Sequence, residues 1–428
     1  MKKKVLIITY YWPPSGGSGV QRWVYFSKYL KKLGYEPIVL TVDPEKATYP
    51  YLDESLVNEV ENIRVITSDS FEPLQLYSKI VSGNKQKGVP YGHVPSKNTS
   101  LFKKGAAFLR GNIILPDARK YWKKYALKEA REIIQKEKID LLITTGPPHS
   151  SHLIGLTLKK ETQLPWLVDF RDPWTEVFYN KDLYRTKWAA KYDQKLEKKV
   201  LDHADRVLCV SDYLTMSLQQ KVSTPSKIQT LINGFDHELF ERIKAVKKDS
   251  FTVTYVGYLG QHHPYKIFLE SLEKVAENHN DQSIKLDLAG NIEAGILEEI
   301  KQIKNTEVSF DGFVSHDKAI EKIKSADLLF ISIPTSSYSK GIITGKLLEY
   351  LATGNPIVLL AEKDSDAAKI LSAYNHTFVT LDNQEELIAF IEKVFSKEIV
   401  PNTNNETVEQ YSRMATTKKL ATLIDQLC

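Results

Sequence analysis

The chain has 428 residues, of which 42% are hydrophobic and 26% are charged, and its formal net charge is +5. This length fits two domains, and the composition and charge argue against a disordered chain and against a dedicated nucleic-acid binder. The two cysteines, Cys209 and Cys428, lie far apart without metal-ligand spacing, and Cys209 in RVLCVS is expected to be a buried thiol.

The N-terminal MKKKVLIITYYWPP has a charged start and an apolar stretch, as a signal peptide has. The stretch is short and β-branched, and it ends in Pro-Pro without a small-residue cleavage site, so it predicts a first β-strand instead. No run of about 18 apolar residues occurs, so we expect no membrane-spanning segment. The sequence therefore predicts a cytoplasmic protein.

Short β-branched runs alternate with helical patterns in the first half, which is typical of parallel sheets wound with helices. Strands are predicted from VLIITYY, PIVLTVD, IRVITS, DLLITTG, WLVDF and RVLCVS. Helices are predicted from VQRWVYFSKYLKKLG, ARKYWKKYALKEAREIIQKEK and TKWAAKYDQKLEKKVLDHA. These elements define a first domain over residues 1–235, which ends near the turn at Asn233-Gly234.

A second series begins at FTVTYVG and continues with KLDLAG, VSFDGFV, DLLFISIP and PIVLLA, with helices between these strands. It predicts a second domain over 250–400, and the stretch 405–428 predicts one more helix, with a possible return to the first domain as a hypothesis. The expected fold is α/β, with two Rossmann-like, doubly wound domains facing across a cleft. In such sheets ligands gather at the carboxyl ends of the strands.

Residues 84–125 form an insertion that mixes lysines and arginines with leucine and aromatic residues. One interpretation is an ordinary solvated insertion between strands. The other is that residues 97–124 contact the inner face of the cell membrane, where cations meet anionic head groups and aromatic rings lie in the interface.

A glycine turn, PPSGGSGVQRW, follows the first predicted strand. Gly16, Gly17 and Gly19 let the backbone approach a ligand closely, and the following helix offers unpaired amides to a phosphate. The spacing differs from the dinucleotide G-x-G-x-x-G pattern, and Asp43 is only the nearest candidate for a ribose ligand. The turn is therefore either a donor-binding element or a tight connection.

The run TGKLLEYLATGNPIVLL, residues 344–360, opens a helix with Gly345 and Lys346 and carries Glu349 one turn later. Lys346 and the helix amides could hold a diphosphate, and a glutamate can accept both hydroxyl groups of a ribose. The alternative is that Lys346 and Glu349 form an exposed ion pair at i, i+3 spacing.

These motifs together resemble the GT-B glycosyltransferases, particularly their family 4-like group. KLLEYLATGNPIV is similar to the nucleotide-binding signature of that family, and YVGYLG, LDLAGN, VSFDGFVSHDKAIEKIKSADLLFISIP and INGFD match the rest of its donor lobe in order. YYWPPSGGSGVQRW, PDARKYW, TGPPHSSHLIG and VDFRDPW resemble a bacterial subgroup associated with surface-polysaccharide assembly. The resemblance covers nearly the whole chain.

Two departures from the family concern the donor lobe. Eight residues before Glu349 the family usually carries another glutamate, which contacts the donor sugar, and here Gly341 stands at that place. Which group replaces it is not given by the sequence.

The second departure lies after Gly257, which the resemblance counts among the donor-binding residues. Relatives tend to carry an arginine and then a lysine on the donor phosphates, but here Tyr258 stands in the arginine's place and the loop reads GQHHPYK. His262, His263 or Lys266 could supply the cation, and His263 and Lys266 are the candidates that we retain.

WLVDFRDPW places Asp169, Arg171 and Asp172 at the end of a predicted strand. By resemblance, Arg171 and Asp172 fall where relatives often carry a His-Asp pair beside the transferred sugar, so all three residues are candidate catalytic groups. The alternative is a buried ion pair that fixes the strand end. In TGPPHSSH, His149 is a candidate for the acceptor side, and His152 is a weaker one.

The resemblance implies a hexosyltransferase-like enzyme that transfers a sugar from a nucleotide-sugar donor to a glycan or lipid-linked acceptor, with retention of configuration. We expect neither a cofactor nor a metal, because no Asp-x-Asp or His/Cys cluster with metal spacing stands out. Two alternatives remain open: a GT-B-fold sugar-nucleotide epimerase, and a non-catalytic subunit that binds a nucleotide sugar and activates a partner.

Overall fold

The structure is a computed structural model, and it describes residues 2–49, 52–72, 101–177, 180, 183–246, 249–279, 281–402 and 406–428. It divides into two compact units. Unit 1 comprises Met1–Ile232 and Thr416–Cys428, and unit 2 comprises Asn233–Ala415. Of the predicted insertion, residues 84–100 lie outside the described residues.

Unit 1 is built on a seven-stranded parallel sheet with helices packed on it. Its strands are β1 Lys4–Ile8, β2 Glu36–Val42, β3 Arg64–Ser68, β4 Leu141–Gly146, β5 Trp166–Phe170, β6 Arg206–Cys209 and β7 Ile228–Thr230. Its helices are α1 Ser18–Lys32, α2 Ser55–Glu59, α3 Leu101–Asn112, α4 Trp122–Lys136, α5 Ser150–Thr162, α6 Lys187–His203 and α7 Asp212–Gln219.

The strand order of this sheet is β3-β2-β1-β4-β5-β6-β7. Every residue of β4 and β5 is buried, as expected for central parallel strands that are covered on both faces. Cys209 at the end of β6 is buried too, which confirms the prediction from RVLCVS. The direction of winding reverses between β1 and β4, and at such a switch point the connections leave a crevice beyond the carboxyl ends of the strands.

Unit 2 repeats the design with a six-stranded parallel sheet. Its strands are β8 Phe251–Val256, β9 Ile284–Ala289, β10 Glu307–Phe310, β11 Leu328–Ser332, β12 Ile357–Leu360 and β13 Thr377–Thr380. Its helices are α8 His237–Arg242, α9 Lys266–Asn278, α10 Ala294–Ile300, α11 His316–Lys324, α12 Gly345–Thr353, α13 Asp366–Leu371, α14 Gln384–Phe395 and α15 Glu406–Glu409.

The strand order in unit 2 is β10-β9-β8-β11-β12-β13, so the switch point lies between β8 and β11. The core is continuous from Val253 on β8 through Phe268 on α9 to Leu387 on α14, and the rings of Phe268 and Phe330 stack 4.0 Å apart. Two parallel, doubly wound sheets therefore confirm the predicted α/β class.

The segment after residue 405 differs from the single helix that was predicted. It forms α15 and then α16, Arg413–Leu427. Between them the backbone pairs with Phe235, whose amide donates to Tyr411 and whose carbonyl accepts from Arg413. This extended pairing interrupts the helix. Later in α16, Asp425 accepts hydrogen bonds from Lys3 at 2.8 Å and from Tyr35 at 2.7 Å, both residues of unit 1.

Candidate functional site

Gly257 directly follows β8 and has φ 130°, a conformation that L side chains rarely adopt. A Cβ at this position would lie 2.8 Å from Nζ of Lys346. The carbonyl of Gly257 also accepts a hydrogen bond from the amide of Asn291 at 3.1 Å, which connects the turn after β8 to the turn after β9. The bare backbone at Gly257 therefore makes room for the Lys346 side chain at the switch point of unit 2.

Lys346 lies in the first turn of α12, and its Nζ is buried without a hydrogen-bond partner among the described residues. The ammonium group lies 3.8 Å from the centroid of the Tyr255 ring. Burial lowers the pKa of Lys346 to about 7. A lysine is also unfavourable at a helix N-terminus, where the amides already carry partial positive charge. The position is therefore costly unless an anion occupies it.

Thr344 precedes α12 and does not cap it, and its Oγ1 is buried without a hydrogen-bond partner in the described part of the chain. The first amides of an α-helix have no intrahelical acceptor. Thr344 Oγ1 and Lys346 Nζ are thus two buried side-chain donors at the start of α12 that have no acceptor among the described residues. Such a group of donors suits an oxyanion such as phosphate.

Glu349 lies one turn along α12 and accepts a hydrogen bond from Nε2 of His316 at 2.9 Å. The predicted alternative, an ion pair between Lys346 and Glu349, is thus replaced by a pair between Glu349 and a residue of α11. Burial disfavours the charged imidazole, but the hydrogen bond and the charge of Glu349 outweigh it and raise the pKa of His316. Nothing in the sequence spacing pointed to His316.

The two cation candidates after β8 have different surroundings. His263 hydrogen-bonds with the backbone of Gly260, and burial, with a smaller effect from the charge of Lys346, lowers its pKa to about 4. His263 is therefore neutral near pH 7 and can offer a hydrogen bond but no charge. Lys266 is exposed and forms an ion pair with Glu299 at 3.2 Å.

The structure also shows the surroundings of the two positions that depart from the family. Tyr258 donates a hydrogen bond to Glu293 at 2.7 Å. Gly341 is buried at the end of a short 3-10 helix, Ser339–Gly341. The preceding Lys340 forms an ion pair with Asp364 at 2.6 Å.

In unit 1, Asp169 is the penultimate residue of β5 and is completely buried, and its carboxylate accepts hydrogen bonds from three side chains. Arg22 donates to Oδ1 from NH2 at 2.8 Å, Trp23 donates to Oδ2 at 2.7 Å, and Thr145 donates to Oδ2 at 2.8 Å. The strand end therefore does carry a buried ion pair, which was the alternative interpretation, but Asp169 pairs with Arg22 rather than with Arg171. The QRW that follows the glycine turn was the available signal for this anchor between α1 and β5.

The glycine turn and Arg171 are packed against each other. The guanidinium NH1 occupies the space that a Cβ of Gly19 would need, and NH2 donates to the carbonyl of Pro147. Gly17 precedes α1 with φ 103° and provides no side-chain cap, and a Cβ at Gly16 would lie 2.9 Å from a neighbouring side chain. The turn therefore brings the N-terminus of α1 next to a guanidinium group.

Asp172 is exposed beside Arg171, and the next two residues are buried. Trp174 is buried and donates to Asp193 at 2.8 Å. The ring of His149 stacks on Trp174 with centroids 5.1 Å apart, and its Nδ1 has no hydrogen-bond partner among the described residues. Burial, with smaller effects from the neighbouring His152 and Arg171, holds the pKa of His149 well below its usual range.

Two further residues of unit 1 complete this edge of the sheet. Asp117, from PDARKYW, accepts hydrogen bonds from the amide and the hydroxyl of Ser150, both at 2.8 Å, and so fixes the start of α5. His152 contacts Thr144 at 3.0 Å, and burial lowers its pKa to about 3, so its ring is neutral. The function of Asp117 as an anchor was not predicted.

The predicted residues of unit 1 thus gather where β1, β4 and β5 end, and Lys346 lies beside Gly257, where β8 ends, in unit 2. Both places are the switch points of their sheets. Among the residues that the structure describes, no group of three or more His, Cys, Asp or Glu side chains is arranged to hold a metal. In the same residues, no helix has both the length and the apolar character to cross a membrane.

Comparisons with known proteins agree with this architecture. The sequence profile described as Glycosyltransferase Family 4 matches residues 94–239, and the one described as Glycosyl transferases group 1 matches residues 250–397. A Bacillus subtilis protein named a teichuronic acid biosynthesis glycosyltransferase, TuaH, is 22% identical over 236 residues, which are 54% of this chain. The chain spans 58% of the length of that relative.

Solved structures are similar over almost the whole chain. A glycosyltransferase from Rickettsia africae gives a TM-score of 0.63 at 15% identity, covering 100% of this chain and 98% of that one. Sucrose-phosphate synthase from Thermosynechococcus elongatus gives 0.65 at 14% identity, covering 100% and 99%. Anabaena HepE in complex with UDP-glucose gives 0.58 at 13% identity, covering 99% and 100%. With two profiles matched in order and this fold, the chain belongs to the family 4-like glycosyltransferases of the GT-B fold.

Proposed function

We propose that this protein transfers a sugar from a nucleotide-sugar donor to a glycan or lipid-linked acceptor. The observation that carries the proposal is the buried Nζ of Lys346, which has no hydrogen-bond partner among the described residues and lies at the N-terminus of α12. A buried ammonium without an acceptor is unfavourable, so its retention indicates an anionic ligand. A diphosphate has the charge and the oxygen atoms to occupy this position.

In the proposed complex, unit 2 binds the nucleotide. Lys346 and the amides of α12 meet the diphosphate, and Gly257 leaves room for the Lys346 side chain. Glu349 accepts hydrogen bonds from the ribose hydroxyls, which requires its contact with His316 to open or to be shared. His263, which is neutral, offers one hydrogen bond to the same ligand. HepE, a fold neighbour, binds UDP-glucose, which supports the choice of ligand class.

Unit 1 supplies the residues that act on the sugar and the acceptor. Asp172 is the exposed carboxylate, so it can stabilise positive charge on the sugar or accept the acceptor's proton. Arg171 and the N-terminus of α1 add positive potential beside it, and His149 lies on the acceptor side. Because Asp169 is saturated with hydrogen bonds, its proposed part is to hold this edge in place.

We propose transfer with retention of configuration, as the family resemblance implies. We also propose that the reaction needs no bound metal, because Lys346 and helix amides can meet the charge that develops on the leaving diphosphate. The similarity to TuaH supports a step in the assembly of a cell-surface polysaccharide. Of the donor candidates, Lys266 is the weakest, since Glu299 already pairs with it.

The experiment that tests the function has two stages. A thermal-shift screen of nucleotide sugars identifies the donor, because a ligand that binds the folded state raises the melting temperature. The selected donor is then incubated with lipid-linked acceptors, and products are analysed by mass spectrometry with and without EDTA.

A glycosidic product whose yield is unaffected by EDTA supports metal-independent transfer. Isomerised donor without a product would favour the epimerase alternative. Binding without turnover until a partner protein is added would favour a non-catalytic subunit. A chain that binds no nucleotide sugar would refute the proposal altogether.

A further inference from the structure

Helix α6, Lys187–His203, has an unusual distribution of charge. From Lys187 to Lys199 its exposed side chains are five lysines, one glutamine, Trp188 and Tyr192, whereas its acidic residues over that stretch point inward. Asp193 pairs with Arg185 at 2.7 Å, and Glu197 pairs with Lys221 at 3.0 Å. A solvated helix normally intersperses both signs on its outer side. Between Lys187 and Lys199 this helix exposes no acidic side chain, and beyond that stretch Asp202 is exposed and pairs with Lys198 at 3.1 Å.

Two aromatic residues lie among these lysines. Trp188 is 67% exposed and Tyr192 is 44% exposed, and their rings stack with centroids 5.5 Å apart and planes 7° apart. Lys187, Lys191 and Lys195 follow at spacings of four, so they lie on the same side of the helix. We name Lys187, Trp188, Lys191, Tyr192 and Lys195 the α6 face.

A group of exposed apolar residues lies next to the start of α6, at the end of α3 and close to it. Asn112, at the end of α3, donates to the carbonyl of Tyr184 at 3.1 Å and accepts from the amide of Thr186 at 2.7 Å, directly before α6 begins. Near this junction Phe108, Leu109, Ile113 and Tyr184 are exposed. Lys104 and Arg110 are also on α3, and Asp117, the one acidic residue between 101 and 125, is buried.

The structure also corrects which residues of the basic insertion, 84–125, are exposed. Trp122 is fully buried and donates to Ser68 at 2.7 Å, so it belongs to the core. Arg119 forms an ion pair with Glu72 at 2.7 Å. Residue 97 and the side chain of Lys103 lie outside the described residues. An exposed set of lysines and aromatic rings thus lies on α6, where the sequence had predicted only a helix.

We propose that the α6 face, with the apolar end of α3, docks on the surface of an anionic lipid bilayer. Lysines near such a surface are attracted to acidic head groups, and tryptophan and tyrosine rings favour the interfacial zone. From Lys187 to Lys199 the helix extends for about 18 Å, and α3 widens the surface further, so the partner is a plane rather than a single head group. A soluble polyanion would satisfy the lysines but would leave the exposed rings in water.

Docking would hold the enzyme beside a lipid-linked acceptor, and that benefit rests on the proposed function. The binding itself does not, because it requires neither donor nor turnover. Its failure and the failure of the transfer reaction are therefore separate results.

Trp188 provides a direct reporter. The other five tryptophans are all buried: Trp12, Trp23, Trp122, Trp166 and Trp174. We expect vesicles of 30% phosphatidylglycerol in phosphatidylcholine to shift the tryptophan emission to the blue, and vesicles of pure phosphatidylcholine to leave it unchanged. The shift should disappear in Trp188→Phe, while that variant still sediments with the anionic vesicles.

The lysines are tested by cosedimentation of the full chain. At about 0.1 M salt each lysine near the surface is worth about fivefold in binding. Lys187→Glu, Lys191→Glu and Lys195→Glu together should weaken binding at least a hundredfold, and added salt should weaken binding of the unaltered protein. The matched control, Lys274→Glu with Lys304→Glu and Lys393→Glu, changes three exposed lysines of unit 2 and should bind normally.

Thermal melting checks that both triple variants fold. If the control lost binding equally, the loss would be explained by net charge alone, and the proposal would be overturned. So would binding that is independent of lipid charge, an absence of binding to any vesicle, or a blue shift that persists in Trp188→Phe. Tighter binding to a soluble polyanion such as dextran sulfate than to vesicles would assign the face to an anionic polymer instead.

Discussion

Lys346 offers a prediction in which donor binding and protonation are linked. Its pKa in the free protein is lowered to about 7 by burial, from an ordinary value of 10.5. A diphosphate placed beside Nζ favours the charged form and raises that pKa again. Donor binding above pH 7 should therefore take up a proton at Lys346.

The magnitude follows from the lowered pKa. With a value of about 7, roughly one tenth of Lys346 is charged at pH 8, so each bound donor should take up about 0.9 proton. The affinity should fall about 50-fold between pH 7 and pH 9, provided that the bound diphosphate keeps the pKa of Lys346 above that range. A nucleotide-diphosphate sugar is the suitable ligand, because its diphosphate has no ionisation of its own there.

Isothermal titration calorimetry at pH 8, in two buffers with different ionisation enthalpies, measures this proton uptake directly. Lys346→Met should abolish the uptake and weaken binding, and it should leave the pH dependence flat. Lys340→Met is the matched control, because Lys340 is only half-buried and its pKa is raised by hydrogen bonds to Asp364 and Glu362. It should behave as the unaltered protein does.

The same shift affects folding. Because the pKa of Lys346 is lower in the folded than in the unfolded state, the cost of the buried charge is present in full below pH 7 and is lost as the pH rises towards 10. The stability of the unaltered protein relative to Lys346→Met should therefore increase over that interval. Donor binding without proton uptake, at an affinity that Lys346→Met shares, would refute the proposed diphosphate site.

Glu349→Ala should lower donor affinity by about 2–3 kcal/mol in calorimetry while the melting temperature stays close to normal, since two charged hydrogen bonds to ribose are lost; unchanged affinity would remove Glu349 from the site. For His316 the raised pKa means that its pair with Glu349 stabilises the fold below about pH 6.5, and this contribution is lost as the pH rises through the folded-state pKa; His316→Gln should flatten that part of a pH–stability curve. Asp172→Asn should reduce turnover far more than donor affinity, and a fully active variant would exclude Asp172 from the chemistry. Asp169→Ala leaves Arg22 buried without its carboxylate and should cost about 3–5 kcal/mol in urea unfolding; a loss below about 1 kcal/mol would contradict the anchoring interpretation.

The sequence alone determined the fold class because its signals are local. Strand runs such as DLLITTG and helices such as KLLEYLATG carry their periodicity within a dozen residues, and the order of strands and helices leaves little choice of architecture. The same locality explains why Gly257 and Lys346 could be named as donor candidates from their motifs. Some elements were missed: α5 begins in TGPPHSSH, where Pro147 and Pro148 suggest a loop, and it is Asp117 that fixes its start.

Tertiary structure decided which side chains meet. Arg22 and Asp169 are 147 residues apart, and His316 and Glu349 are 33 apart, so neither pair can be recognised from a local spacing in the sequence. Strand order and register bring them together. The sequence of α6 likewise mixes lysines with acids, and only packing against Arg185 and Lys221 turned the acids inward and left the lysines outside. A contact that depends on two elements brought together by the fold cannot be read from either element alone.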